Sequence, residues 1–186
     1  MSINDRKVAI VTGSATGVGA AAAIMLAARG CNVVVNYTRS AQEAAQTAQA
    51  CRDRGADVLL FQGDVADDAN CQAMARGAFE RWGRIDYLIN NAAKTKANPY
   101  ENLDGLSAED FLEIYRVNVV GAYQMVRAVV PYMKKTGRGA IVNNSSIGGV
   151  TGIGSSIAYA ASKAALNLMT QSLSLVLGPE IRINAI

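Results

Sequence analysis

Short apolar runs alternate with longer helical stretches from one end of the chain to the other. The runs fall at residues 7–12, 32–36, 57–62, 87–90, 140–145 and 181–186. They are too short for helices, and strands buried on both faces read this way. Between them, residues 18–29, 40–55, 68–82, 107–135 and 156–177 carry helical patterns. Gly30 is placed to close the first helix in a left-handed conformation, Ser40 with Glu43 reads as a capping box, and Ser107 with Asp110 caps the fourth helix. A polar stretch at 94–105, containing Pro99, reads as a surface loop, and a Gly/Ser-rich loop follows the fifth strand. Strand and helix in regular alternation predict one α/β domain over residues 1–186. The expected architecture is a doubly wound, Rossmann-type parallel sheet with helices on both faces. The final apolar run has no turn or helix behind it, which predicts further residues downstream.

Composition narrows the class. Hydrophobic residues make up 51% of the 186 and charged residues 18%, enough apolar surface to sustain a core. The net charge of +3 is spread along the chain and points to neither a nucleic-acid nor a membrane partner. The cluster Lys134, Lys135 and Arg138 sits where a long helix ends, and there cations complement the helix dipole. Residues 1–7 are polar and lack the apolar stretch of a signal peptide. Three cysteines form no CxxC pair, and the odd count points to a reducing compartment and a cytoplasmic location. The chain has no histidine. That excludes Ser-His-Asp and Cys-His machinery and any His-ligated metal site, so no metal is expected and proton chemistry must use other side chains.

Two local patterns carry chemistry. After the first strand the sequence reads Thr12-Gly13-Ser14-Ala15-Thr16-Gly17-Val18-Gly19, and a helix begins at its end. Glycines let the backbone turn sharply and approach a pyrophosphate, which free amides and the helix dipole then stabilise. Alone, such a turn is equally an ordinary strand-to-helix connection. The second strand ends Asn36-Tyr37-Thr38-Arg39-Ser40, where a ribose-binding acid is expected and none stands. Arg39 offers a forked, charged partner for a 2′-phosphate, with Thr38 as a hydroxyl donor, and this favours NADP over NAD. The alternative is a solvated arginine at a helix start.

The second pattern is Tyr159-Ala160-Ala161-Ser162-Lys163 at the start of a predicted helix, which puts phenol and ammonium on one face. A nearby ammonium favours the ionised phenol, as general acid/base work requires. Ser146, just past the fifth strand, can donate to a carbonyl oxygen. Tyr and Lys four apart also describe an exposed helical turn with no role. The conjunction with the glycine turn decides.

With these motifs in order, the chain resembles the classical short-chain dehydrogenase/reductases along its whole length. The resemblance rests on Thr12 to Gly19, Asp64-Val65, Asn90-Asn91-Ala92, Asn118, Ser146, and Tyr159 with Lys163. It implies that Tyr159 donates the proton to a substrate carbonyl, that Ser146 holds the same oxygen, and that Lys163 binds the nicotinamide ribose while tuning Tyr159. It implies a water positioned by Asn118 in a relay to Lys163. For the cofactor it implies a cradle at Gly13, Ser14, Thr16, Gly17, Val18 and Gly19. Thr38 and Arg39 lie at the adenosine ribose, Asp64 and Val65 against adenine, and Asn91 and Ala92 beside the nicotinamide ribose. The resemblance also implies a last strand and a lid region that are absent from these 186 residues, and two local departures stand out. Ala93 replaces a family glycine, adding a methyl near the cofactor, and Thr16 stands where many NADP-preferring relatives carry arginine. The stretch 36–40 is similar to that of 3-oxoacyl-carrier-protein reductases. The expectation is therefore an NADP-dependent oxidoreductase acting on a small or carrier-bound ketone or secondary alcohol, assembled as a homodimer or tetramer. A non-catalytic NADP sensor and an inactive truncated reductase are the other readings.

Overall fold

The computed structural model describes residues 6–186. The polar start read as carrying no signal peptide lies, up to Asp5, outside the described residues. Six strands form one sheet: β1 (Val8–Val11), β2 (Asn32–Tyr37), β3 (Val58–Gln62), β4 (Tyr87–Asn90), β5 (Gly139–Asn143) and β6 (Ile181–Ala185). All neighbours pair in parallel, in the order β3-β2-β1-β4-β5-β6. The helices are α1 (Gly17–Ala28), α2 (Ala41–Arg52), α3 (Asp68–Trp82), α4 (Ala108–Tyr115), α5 (Ala122–Lys135), α6 (Gly148–Thr151) and α7 (Ile157–Leu177). This is the doubly wound, Rossmann-type sheet the alternation predicts.

Alternation along β1 shows why both faces must be covered. Val8 and Ile10 pack with Met74, Ala78, Met125 and Val129 of α3 and α5. Ala9 and Val11 pack on the other side, with Ala23, Ala27, Ala44 and Ala48 of α1 and α2. Burying each large aliphatic side chain contributes about 1.5–3 kcal/mol, so the methionine-rich side supplies most of the core. The alanine-lined side works by letting helices approach the sheet closely. Strand order reverses between β2-β1 and β4, and in such sheets a crevice opens beyond the strand ends at that point.

Three local expectations change. Ser40 makes no side-chain cap, because its backbone (φ −79°, ψ 63°) is not the extended conformation that aims an N-cap oxygen at the first turn. Glu43 is left only as an acid near the dipole's positive end. The Ser107–Asp110 capping box does form, but the helix expected to run unbroken to 135 is interrupted by a π-helical segment, Arg116–Gly121. The wider turn puts Asn118 inside the protein, 2% exposed. Its Oδ1 accepts Lys94 N at 2.7 Å, and its Nδ2 donates to Lys94 O and Ser162 Oγ, each at 3.0 Å. The buried carboxamide thus has its own hydrogen bonds met by groups outside that helix. The third change is the short α6 inside the Gly/Ser-rich loop.

Candidate active site

The glycine turn joins β1 to α1 at the reversal point. No side chain caps α1 at Thr16 and no acid stands in its first turn, so the free amides there are available to an anion. Gly13 and Gly17 have φ near +59° and +58°, a region that disfavours any side chain. Gly19 answers to a different constraint, since a β-carbon there would lie 2.5 Å from Gly13 O and press on Asn91 Nδ2. Ser14 faces inward: its hydroxyl donates to Val11 O at 2.7 Å and accepts Asn36 N at 3.0 Å. Val18 points outward, 65% exposed.

From this turn a cleft of about 670 Å³ runs past Thr16, Thr38 and Arg39, over Asp64 and Val65, to Asn91 and Ala92. Thr38 and Arg39 are exposed on its rim. The Asp64 carboxylate accepts Ala66 N at 2.9 Å, and Val65 is buried beneath. Ala93, the residue in place of the family glycine, also lines the cleft.

A continuous polar chain leads from the turn to the Tyr-Lys pair. Thr12 Oγ1 accepts Asn91 N and Ala92 N, both at 3.0 Å. Asn91 Nδ2 donates to Thr12 O and Gly13 O at 3.0 Å, while its Oδ1 accepts Asn144 Nδ2 at 3.0 Å. Asn144 O in turn accepts Lys163 Nζ at 2.6 Å. Lys163 is 2% exposed, and burial pushes its ammonium down from 10.5 to about 8. Its Nζ lies 5.6 Å from the centre of the Tyr159 ring. Ser156 fixes this face by capping α7, its Oγ accepting Tyr159 N at 3.3 Å. Ser146 is half-buried, its Oγ accepting Gly148 N at 3.1 Å. It borders a second cavity of about 590 Å³ that also involves Ile147, Asn167 and Ile186.

Three residues that organise this site carry no separate signal in the sequence motifs. Asn36, buried at the end of β2, accepts Gly13 N on Oδ1 at 3.0 Å and donates through Nδ2 to Gly63 O at 2.9 Å, tying the turn to the end of β3. Thr12 and Asn144 are the links just described. Their common mark is a polar side chain at or just past the end of an apolar strand, buried in Thr12 and Asn36 and half-buried in Asn144, where a polar group withdrawn from water persists only with its hydrogen bonds met. Asn90 is of the same kind, donating to Asn143 Oδ1 at 2.9 Å and to Ala122 O at 3.2 Å, and so bracing β4 against β5.

The arrangement places a buried ammonium beside a phenol and joins it, through Asn144 and Asn91, to the glycine turn at the head of the cleft. Comparison with known proteins gives the family. The family model described as short chain dehydrogenase matches residues 7–186. A Streptomyces violaceoruber protein named as ketoacyl reductase 2 of granaticin polyketide synthase is 40% identical over 182 residues, 98% of this chain and 72% of that protein. A crystal structure from Burkholderia xenovorans, described as a short-chain dehydrogenase/reductase, superposes with a TM-score of 0.95 at 42% identity, over 97% of this chain and 75% of that one. A structure of NAD+-bound xylitol dehydrogenase superposes at 0.89 and 30% identity, over 96% and 68%. The chain therefore belongs to the short-chain dehydrogenase family, oxidoreductases that use NAD or NADP.

Proposed function

We propose that the protein is an NADP(H)-dependent oxidoreductase that interconverts a ketone and a secondary alcohol, with Tyr159 as general acid and base. The observation that carries this reading is the buried Lys163, held by Asn144 and standing beside the Tyr159 ring. A lysine almost withdrawn from water is costly to keep, and a neighbouring phenol that must lose and regain a proton gives it a purpose.

The residues fit a dinucleotide. A β-carbon at Gly19 would strike Gly13 O and Asn91 Nδ2, so glycine lets the turn close tightly; Gly13 and Thr16 line the cleft beside the uncapped start of α1, and the cleft has the volume of a cofactor site. Gly13, Thr16 and Gly17 would hold the pyrophosphate, Asp64 and Val65 the adenine, and Asn91, Ala92 and Lys163 the nicotinamide ribose. Ser14, Val18 and Gly19 would shape the turn. The bound nicotinamide supplies or accepts the hydride.

In the reducing direction Tyr159 gives its proton to the carbonyl oxygen, and the Lys163 ammonium stabilises the phenolate that remains. Ser146 donates a hydrogen bond to the same oxygen, lowering the cost of the charge that develops there. Both amide hydrogens of Asn118 are engaged by protein, which leaves one acceptor position on Oδ1 for a relay water.

The same fold holds NAD+ in xylitol dehydrogenase, so the choice of dinucleotide turns on the rim. Arg39 supports NADP: it lines the cleft, and no carboxylate pairs with it among the described residues. The relation to a protein named as a ketoacyl reductase supports a carrier-bound carbonyl substrate. Three buried free cysteines support a reducing, cytoplasmic setting, and no helix among the described residues is long and apolar enough to cross a membrane. Exposed Leu112, Tyr123 and Leu168 on the long helices support a homo-oligomer. The test is NADPH consumption against a panel of ketones. Tyr159→Phe should abolish turnover while NADPH still binds, and a variant as active as wild type would remove the assignment.

A further inference from the structure

The polar stretch between β4 and α4 is fastened to both sides of the site. On one side Lys94 pairs with Glu113 and Lys96 with Asp110 at 2.7 Å, both partners on α4. On the other, Asn98 N donates to Ser155 O at 2.9 Å, and the hydroxyls of Thr95 and Ser155 meet. Between these lies Tyr100. Its hydroxyl donates to Gly152 O and accepts Gly154 N, both at 2.7 Å. One phenolic oxygen therefore bridges the two ends of the exposed turn 152–154, which glycines begin and end, while Gly152 N donates to Gly148 O at 3.0 Å and Ile153 N to Thr151 Oγ1 at 3.2 Å.

That turn separates the two groups that must meet one carbonyl oxygen. A β-carbon on Gly154 would stand 3.4 Å from Cδ1 of the Tyr159 ring. A β-carbon on Gly148 would stand 2.9 Å from Ile153 O, 3.5 Å from Gly154 Cα and 3.4 Å from Ser146 Oγ. The backbone of 153–154 is thus packed between the Tyr159 ring and the glycine whose amide Ser146 accepts. Two residues on, Ser156 begins α7 and fixes where Tyr159 sits on it.

We propose that Tyr100 is a positioning residue for the reaction, its hydroxyl holding the 152–154 turn that sets Tyr159 against Ser146. The proposal rests on the reading of Tyr159 as general acid and base. A glycine-bounded turn has many conformations to lose on ordering, and Tyr100 removes them from outside the turn. Proton transfer is steep in distance, and a misplacement of about 1 Å costs on the order of a hundredfold in rate.

Tyr100→Phe removes the hydroxyl and keeps the ring. With a ketone that wild type reduces, kcat should fall by about ten- to a hundredfold. NADPH affinity, read by fluorescence titration, and Tm should stay near wild type, because the hydroxyl touches neither the cleft nor the core. In the ligand-free chain, amide hydrogen exchange should quicken at residues 152–156 and remain unchanged in β1 and β4. Wild-type kcat in Tyr100→Phe, or unchanged exchange at 152–156, overturns the proposal. Tyr159→Phe run in parallel separates the two claims. If it retains turnover, or if wild type reduces no ketone, the acid/base reading fails, and exchange still decides whether the hydroxyl holds the turn. If it is inactive and Tyr100→Phe is not impaired, only the positioning role falls.

Discussion

Lys163 should add stability to the fold as pH rises from 8 to 9, against an opposite trend that its buried cysteines set up over the same range. In the fold burial holds the lysine at about 8, against 10.5 when unfolded. Between those values the unfolded chain binds the extra proton, so the slope of unfolding free energy with pH is positive, at most about 1.4 kcal/mol per pH unit. Integrated from pH 8 to 9, the lysine contributes about 1 kcal/mol, and from 7 to 8 only about a third of that, because the folded state is then still largely protonated. Burial raises the thiols of Cys31, Cys51 and Cys71. Unfolded thiols titrate at about 8.5–9, so the unfolded chain begins to lose those protons within the same range, and the cysteines lower stability there. The range from about pH 8 to 9 is the lysine's own window, and comparing two proteins with the same cysteines isolates its contribution. The assay is urea unfolding at several pH values, comparing wild type with Lys163→Met, which keeps the volume and lacks the charge. Wild type should gain about 1 kcal/mol more than the variant across the window, with equal m-values. Equal slopes in the two proteins would refute the reasoning, because they would mean that Lys163 keeps its ordinary affinity for a proton despite being buried.

Two other outcomes are expected. Arg39→Ala should weaken NADPH binding by about 1.5–3 kcal/mol, the range for a hydrogen bond to a charged group, with NADH affinity little changed. Titration with both cofactors checks this, and equal losses contradict it. Gly19→Ala forces a methyl against Gly13 O and Asn91 Nδ2, and overpacking of that kind costs about 1–3 kcal/mol. Its urea midpoint should fall and its affinity for either dinucleotide should fall with it, whereas intact binding at wild-type stability would show that the turn can yield.

The sequence by itself was sufficient for the sheet, because its evidence is local and repeated. Five helical stretches between six apolar runs leave little freedom in a parallel sheet. The glycine turn and the Tyr159–Lys163 spacing were legible for the same reason, since a strand-to-helix turn and one turn of helix are fixed by positions a few residues apart. The Ser107–Asp110 cap is equally local. At Ser40 the same pattern misled, because capping depends on a backbone angle that neighbouring structure sets.

What only the tertiary structure decided involves partners far apart in the chain. At the π-helical turn, the Asn118 carboxamide meets Lys94 and Ser162, 24 and 44 residues away. Asn36, Thr12 and Asn144 look like unremarkable polar ends of strands until strand order brings them together into one chain of hydrogen bonds ending at Lys163. The stretch 94–105 is the surface loop its polarity predicts, and only the fold reveals that Tyr100 within it reaches a turn 52 residues on. A side chain's partner across the sheet depends on how the strands are ordered, and periodicity along the sequence carries no record of that order.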